Sequence, residues 1–353
     1  MLSSYSHAEV IPFMKDTRIN SFDIAHRAGV SQSTVSRALR NSPLVNKETR
    51  EKVQAIAREL NYTVDKNAAN LRSQTTHTIA LLLFEDPTAD DSLINPFFLS
   101  MLGSVTRAAA ERGYDLLVSF QQLDQDWHNE YEVAHRADGM ILLGYGDYTT
   151  YADKLQQLAE AKAHFVIWGP MMSGQPGHSI GCDNRLGGYE ACKHLIASGR
   201  KRIAFIGDHS DSAPEFLLRY QGYCDALREA GIELDNNLVT NAANLESAGA
   251  DAIKNLVSNN EGIDAVFTAS DLIAIGAIKE LQHQNIAVPE QIAIIGFDDI
   301  PAASYMHPPL STVRQDTQLA GKLLVHKLIQ SIEGEQVDSE LIKPNLIVRA
   351  SCL

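Results

Sequence analysis

Cysteine is scarce in this chain, and its four residues, Cys182, Cys192, Cys224 and Cys352, form no CxxC pair. That scarcity argues against a disulfide framework and a zinc site, and it is typical of a reduced cytosolic protein. Long apolar runs are also missing. A run such as Ile79–Phe84 is far too short to span a bilayer, and the N-terminus lacks the charged-then-apolar order of a signal peptide. We therefore predict a cytoplasmic protein with no membrane partner.

Signatures of cofactor-dependent chemistry are missing as well. No GxGxxG follows the first predicted strand, and the chain has neither a Walker A loop nor an HExxH motif. The neighbouring carboxylates Asp298 and Asp299 would point to opposite sides of an extended chain, which disfavours a two-carboxylate glycosidase. The sequence therefore predicts no cofactor, no metal site and no enzyme.

Charge is spread unevenly along the 353 residues. Residues 1–74 contain 11 Lys or Arg and 7 Asp or Glu, a net charge of +4, whereas the remaining residues contain 19 and 37, a net charge of −18. An acidic body repels nucleic acid, so any DNA contact is expected in the basic head. The length suggests two or three domains, and the 44% of hydrophobic residues is ordinary for a globular chain.

Three short helices are predicted in the head, residues 18–64. Each begins after a residue suited to an N-cap, and these residues are Asn20, Ser31 and Asn46. The predicted second and third helices are Gln32 to Leu39 and Lys47 to Leu60. Ala25, Gly29 and Val35 have the spacing of a helix-turn-helix, in which a small residue, a turn glycine and a β-branched residue let two helices pack closely.

The exposed face of the second helix carries short polar groups and one arginine but no carboxylate: Gln32, Ser33, Thr34, Ser36 and Arg37. Such groups can contact base edges and phosphates in a major groove. An ordinary solvated helix face usually includes acidic side chains. The pattern therefore favours DNA binding over a purely structural helical module.

The segments DIAHRAGVSQSTVSRAL and NKETREKVQAIARELNY resemble the DNA-binding head of the LacI/GalR family of bacterial repressors. The resemblance implies that Gln32 and Ser33 choose bases at the start of the recognition helix, and that Arg37 reaches a base edge or a phosphate. It also implies phosphate contacts from Thr34, Ser36, Asn46 and Thr49.

The family also has a hinge helix, for which residues 65–74, with the linker, are the candidate. The resemblance implies that Leu71 enters the minor groove and kinks the operator, and that Ala68 lets two hinges touch. From the residues alone, Leu71 could instead pack on the third helix. Val64-Asp65 stands where the family often has proline. Residues 1–17 lie outside the resemblance and are expected to form a disordered extension.

From Thr78 onward, short apolar runs alternate with helical stretches. This order predicts parallel sheets with helices on both faces, arranged as two Rossmann-like lobes with a cleft between them. The region resembles the effector-binding and dimerisation core of the same family, with Leu310–Asp316 as a crossing strand. We expect a core over 75–353, with lobe one at about 75–181 plus 315–340 and lobe two at about 182–314 plus 341–353. The predicted fold is thus a small all-α helix-turn-helix head joined by a hinge helix to an α/β core.

Ligands of such clefts bind near the ends of strands. By resemblance, Asp183, Arg219 and Asp298 bond sugar hydroxyls, and Ser270 stands where the family often has Asn. The remaining candidates are Asn95, for a hydroxyl, and the rings of Phe97, Phe98 and Trp168, for a sugar face. A strand-end cap or a surface ion pair is the alternative for the polar residues, and a core position is the alternative for the tryptophan.

These features predict a homodimeric repressor that associates with the nucleoid and binds a palindromic double-stranded operator. A small-molecule effector, expected to be a sugar, would bind in the cleft and release the DNA, with glucosides ranked above pentoses. The alternative is a repressor that needs a purine or another small metabolite as corepressor. A stand-alone sugar-binding protein is a further rival, and it would have no affinity for DNA.

Overall fold

The computed structural model describes residues 19–62, 75–84, 94–144 and 148–353, and it divides into two units at residues 1–74 and 75–353. The first unit contains α1 (Ser21–Ala28), α2 (Gln32–Leu39) and α3 (Lys47–Glu59). All three predicted N-caps form. Asn20, for example, accepts hydrogen bonds from the N–H groups of Phe22 and Asp23, and the Asp23 carboxylate accepts one from the Asn20 N–H. Gly29 ends α1 with a φ of 71°, a left-handed conformation that favours glycine.

The head is held together by a small apolar core. Ile24, Val35 and Val53, one from each helix, are completely buried at its centre. An ion pair between Arg27 and Glu59 links the first and third helices at the surface. The predicted extension at 1–17 and the hinge at 65–74, with Ala68 and Leu71, lie outside the described residues.

The first lobe of the second unit is built on a six-stranded sheet with all neighbouring strands parallel. Its spatial order is β11-β5-β4-β3-β1-β2, and the strands are β1 (Thr78–Leu83), β2 (Asp115–Phe120), β3 (Gly139–Leu143), β4 (Phe165–Trp168), β5 (His178–Cys182) and β11 (Glu340–Ile342). The helices of this lobe are α4 (Pro96–Glu111), a π-helix (His128–Val133), α5 (Tyr148–Glu160) and α11 (Thr317–Ile332).

The second lobe is built on another six-stranded sheet, in the order β12-β10-β9-β8-β6-β7. Its strands are β6 (Ile203–Ile206), β7 (Val239–Thr240), β8 (Ala265–Thr268), β9 (Ala293–Asp298), β10 (Ser311–Arg314) and β12 (Asn345–Ile347). Its helices are α6 (Asn184–Ala197), α7 (Pro214–Glu229), a 3₁₀ turn (Asn236–Leu238), α8 (Glu246–Asn259), α9 (Asp271–His283) and α10 (Pro301–Tyr305). One pairing departs from the predicted parallel pattern, because β12 runs antiparallel to β10 at the edge.

Apolar residues on both faces of the central strands explain why helices cover both sides of each sheet. In β1, Leu81 belongs to the large core that continues into the second lobe, whereas Ala80 and Leu82 belong to a separate cluster around Trp127 and Tyr131. Successive side chains of a strand point to opposite faces, so one short apolar segment supports both cores.

The chain crosses between the lobes at the end of β10, as the sequence predicts. It passes through Gln315 and Asp316 into α11, and Gly321 of α11 packs against the backbone at Ser104 of α4. The strand Glu340–Ile342 pairs with β5 of the first sheet, so the boundary expected at residue 340 falls inside a strand of the first lobe. Beyond that correction, the domain limits given above stay predictions.

Candidate DNA-binding and effector sites

The N-terminal turn of α2 is organised by hydroxyl groups. Ser31 caps the helix by accepting a hydrogen bond from the Thr34 N–H at 3.2 Å, and its Oγ lies 2.8 Å from that of Ser33 and 2.9 Å from Oγ1 of Thr34. Gln32 donates from Nε2 to Oγ of Ser21, on α1, at 2.9 Å. The residues predicted to choose bases thus have defined positions in the head by itself.

The other predicted DNA contacts lie on α2 and at the start of α3. Ser36 accepts a hydrogen bond from Arg40 at 3.1 Å, and Asn46 caps α3 through the Thr49 N–H at 2.8 Å. Arg37 is exposed and has no ion pair within the described part of the chain. Its guanidinium is therefore available for an anionic or base-edge partner.

A cavity of about 380 Å³ lies between the two lobes of the core. Phe97 and Ser100 of α4 line it from the first lobe, residues 298–301 line it from the second, and residues 314–318 line it where the chain crosses. This volume falls within the range of small-molecule sites. Of the eight predicted effector residues, Phe97 and Asp298 are among the lining residues.

Arg219 lies next to Asp298 and is completely buried. Its Nη1 is 3.4 Å from Oδ1 of Asp298, and its Nε donates to Oδ1 of Asn184 at 2.8 Å. Nη1 also donates to the carbonyl oxygen of Ala269, and the guanidinium lies 3.8 Å from the centre of the Phe297 ring. The structure therefore brings the predicted pocket arginine and carboxylate together.

The turn that carries Asp298 has an unusual backbone. Asp298 has a φ of 113° and Asp299 a φ of 55°, values that non-glycine residues rarely adopt. Burial raises the pKa of Asp298 to about 6, although Arg219 and a 2.7 Å hydrogen bond from Gln315 both act to lower it. Gln315 and Arg219 thus hold the buried Asp298 carboxylate where it lines the cavity.

The buried carboxylate of Asp271 forms hydrogen bonds that stabilise this turn. Its Oδ2 accepts a hydrogen bond from the Ile300 N–H at 2.9 Å, and its Oδ1 accepts one from Oγ1 of Thr312 at 2.6 Å. A Cβ on Gly296 would lie 2.2 Å from the same Oδ1, so only glycine leaves room for the carboxylate. Burial, followed by the nearby negative charge of Asp298, raises the pKa of Asp271 well above its usual range.

The aromatic candidates form a buried group on the first lobe. The ring of Phe97 lies 5.3 Å from that of Phe98 and 5.9 Å from that of Trp168, measured between ring centres. Phe98 and Trp168 are almost fully buried in the large core, which fits the core alternative for the tryptophan. Asn95 caps α4 through the Phe97 N–H at 2.9 Å, and its buried Nδ2 has no hydrogen-bond partner among the described residues.

Two further candidates are also N-caps. Asp183 caps α6 by accepting from the Leu186 N–H at 3.0 Å and stays partly exposed. Ser270 caps α9 through the Ile273 N–H at 3.3 Å and donates to Oδ1 of Asn244 at 2.6 Å, so its single proton is used. Ser270 is completely buried, and Nδ2 of the nearby Asn244 has no hydrogen-bond partner in the part of the chain that the structure describes.

Sequence reasoning missed Glu215, which stands at the second position of α7. Its side chain is buried, and Oε1 would lie 3.6 Å from a Cβ placed on Gly169, which follows β4 of the first lobe. Burial raises the pKa of Glu215 to about 7, against the lowering effects of a hydrogen bond from its own backbone N–H and of Arg219. One local signal was available, since Glu215 lies four residues before Arg219 and therefore on the same face of a helix.

The sequence predicts no GxSxG nucleophile elbow, yet residues 177–181 have the GxSxG spacing. Ser179 lies within β5 and is buried, and its Oγ accepts a hydrogen bond from Gln175 at 3.1 Å. A nucleophile elbow instead needs an exposed serine at a sharp strand-to-helix turn. Within the described residues, no group of three or more His, Cys, Asp or Glu side chains is arranged to hold a metal ion.

Two family models match the chain. Residues 22–65 match the model described as bacterial regulatory proteins, lacI family, and residues 192–352 match that of a periplasmic binding protein-like domain. Among the helices that the structure describes, none is long and apolar enough to cross a membrane.

Individual relatives cover almost the whole chain. The ribose operon repressor of Escherichia coli K12 is 33% identical over 336 residues, covering 93% of this chain and 98% of its own. The transcriptional repressor PurR of Haemophilus influenzae is 31% identical over 339 residues, covering 93% and 97%. The solved structure of a transcriptional regulator CelR–cellobiose complex has a TM-score of 0.70 at 30% identity, covering 95% of this chain and 100% of that one.

Proposed function

The chain belongs to the lacI family of bacterial regulatory proteins, and on that premise we propose that it represses carbohydrate-utilisation genes and leaves its operator when a sugar binds between the lobes. It is a DNA-binding transcriptional regulator. Two copies would dimerise through the core and present two heads to a palindromic site in the cytoplasm, on the nucleoid. We assign it no catalytic role.

The observation that carries the sugar assignment is the cavity beside Asp298. The Asp298 carboxylate and the Phe97 ring line this cavity together, and Arg219 lies next to Asp298 inside the protein. A sugar hydroxyl both donates and accepts, and an apolar C–H face of a sugar packs on an aromatic ring. A cellobiose complex in a relative supports a carbohydrate of this class.

A corepressor is the second candidate, because PurR is as similar over the same length. The two candidates predict opposite signs of coupling between effector and operator. An inducer binds better to the state with low operator affinity, whereas a corepressor binds better to the state with high affinity.

Fluorescence anisotropy on a duplex selected from random DNA tests both, at one fixed salt concentration because phosphate contacts are salt-dependent. The panel contains cellobiose, methyl glucosides, D-ribose and purine bases. Release by a sugar supports the proposal, and tighter binding with a purine supports the second candidate. Failure to select any DNA sequence would contradict the assignment of the head.

A matched variant separates the two sites. Arg37→Ala should lose operator affinity because an exposed arginine of α2 is removed, while calorimetry should still detect the sugar. A variant that loses the sugar as well would indicate damage to the whole chain.

A further inference from the structure

The bond between Gln32 and Ser21 joins the start of the recognition helix to the start of α1. Nε2 of Gln32 donates to Oγ of Ser21 at 2.9 Å, and both residues are partly buried. Ser21 is the first residue of α1, whose capping is done by Asn20 and Asp23 through other atoms. The Ser21 hydroxyl is therefore not needed to cap its own helix.

We infer that Ser21 is a specificity-determining residue, which orients the Gln32 amide so that α2 reads adenine. The inference rests on the proposed role of Gln32 in reading a base. An amide has two different ends, and it matches N6 and N7 of adenine only when Oε1 accepts from N6 and Nε2 donates to N7. Turned over, the same amide presents its donor where adenine also has a donor.

The hydrogen inventory allows both contacts at once. Nε2 of Gln32 carries two hydrogens, of which one serves Ser21 and the other stays available for a base. Oε1 of Gln32 has no partner within the described residues, so it can accept from the adenine amino group. The bond to Ser21 thus leaves Oε1 and one Nε2 hydrogen of Gln32 available for adenine.

The DNA itself would strengthen this orientation. The Ser21 Oγ has no second hydrogen-bond partner among the described residues, so its proton is free for a phosphate oxygen. Once that proton is used on a phosphate, the hydroxyl can only accept from Gln32, and the amide cannot turn over. The side chain is also ordered before binding, which reduces the entropy lost on the operator.

Selection from a randomised duplex library with the full-length protein tests the inference, followed by relative affinities for the four bases at each half-site position. Gln32→Ala should reduce an adenine preference at one position by about tenfold, the effect of losing one bidentate contact. Ser21→Ala should reduce the preference at that same position several-fold. Ser21→Thr, which keeps the hydroxyl, should retain it.

The double variant and a control complete the design. Because Ser21 acts through Gln32, the double variant should show no less preference than Gln32→Ala alone. Ser42→Ala removes another hydroxyl of the head, one bonded to the Leu44 N–H, and should leave base preference unchanged.

Two results would overturn the inference, and they differ from each other. If Ser21→Ala lowered the affinity equally for duplexes with each of the four bases, Ser21 would contact a phosphate and would not determine specificity. No change in preference with Gln32→Ala would overturn the underlying role of Gln32 too. Circular dichroism melting of each variant shows that the head still folds.

Discussion

Arg219 Nη1 lies 3.4 Å from Oδ1 of Asp298, and both side chains are almost completely shielded from solvent. The guanidinium also bonds Asn184, which follows β5 of the first sheet, and Ala269, which follows β8 of the second. One side chain thus gathers groups from the ends of strands in both sheets. Burial of the Arg219 charge is costly, and the partners of its N–H groups offset that cost.

Replacing Arg219 by Met should therefore be strongly destabilising. The carboxylate of Asp298 would lose its counter-charge and Asn184 its donor, both inside the protein. Breaking a buried pair in this way costs about 3–5 kcal/mol. Urea denaturation followed by circular dichroism measures the change in unfolding free energy.

Arg185→Met is the matched control for that prediction. Arg185 pairs with Asp225 at 2.7 Å on the surface, and its side chain is 56% exposed. Exposed pairs contribute up to about 1 kcal/mol, so this variant should lose little stability. Equal losses for Arg185→Met and Arg219→Met would show that burial of the Arg219 pair has no special effect.

Local patterns explain how much of this fold was predictable. The caps Asn20, Ser31 and Asn46 act within three residues, and the alternation of apolar runs and helices predicts parallel sheets with helices on both faces, though not their strand order. The short edge strands β7, β11 and β12 were not predicted, because two or three residues carry no periodicity of their own.

The site was less predictable, because its side chains are defined by distant parts of the chain. Asp271 is adjacent to the candidate Ser270, yet its function depends on Thr312 and Ile300. Glu215 is buried beside Gly169 of the other lobe. Conversely, Asp183 and Ser270 read as ligand residues by position, and the structure uses both as helix caps.

Thr312→Val should weaken both stability and effector binding. The change keeps the side-chain shape but removes the hydroxyl that bonds Asp271 at 2.6 Å and accepts from the Asp299 N–H at 3.3 Å. A buried carboxylate oxygen left without its donor costs about 1–3 kcal/mol. The strained turn beside Asp298 would also be less well held.

Thr106→Val serves as the control, since its hydroxyl bonds the carbonyl oxygen of Leu102 at an exposed position of α4. Denaturation and calorimetric titration with the sugar from the panel measure the two effects. A Thr312→Val protein with normal stability and normal sugar affinity would mean that the turn does not need this support.

Gly188 sets the distance between α6 and α7 beside Arg219. A Cβ at this position would lie 2.1 Å from the backbone oxygen of Arg219, so the helices must separate to accept alanine. Overpacking of this kind costs about 1–3 kcal/mol, and it would displace the arginine that bonds Asp298. Gly188→Ala should therefore lower both melting temperature and sugar affinity.

Gly103→Ala is a control with the opposite expected sign. Gly103 lies within α4, and a Cβ there would have no atom within 4 Å. Alanine in a helix is more stable than glycine by about 0.5–1 kcal/mol, so this variant should melt higher. A higher melting temperature for Gly188→Ala would contradict the close approach of the two helices.

The raised pKa of Glu215 predicts a pH dependence of stability. Below the pKa of about 4.5 that Glu215 has in the unfolded chain, its carboxyl is protonated in both states and does not affect the unfolding free energy. As the pH rises toward about 7, the unfolded chain loses the proton while the folded chain keeps it, so stability falls. Above about 7 both states are ionised and the loss is complete, on the order of 3 kcal/mol.

Glu215→Gln removes the titrating proton while keeping the size of the side chain. Relative to the unchanged protein, this variant should gain unfolding free energy as the pH rises from 4.5 to 8, with most of the gain below about 7. Urea denaturation at pH 4.5, 6, 7 and 8 gives the difference curve, in which other titrating groups cancel. A flat curve would mean that the Glu215 carboxyl has the same pKa in the folded and the unfolded chain, as a solvated group would. A falling curve would mean that its carboxylate is stabilised there, which would require its own backbone N–H and Arg219 to outweigh the effect of burial.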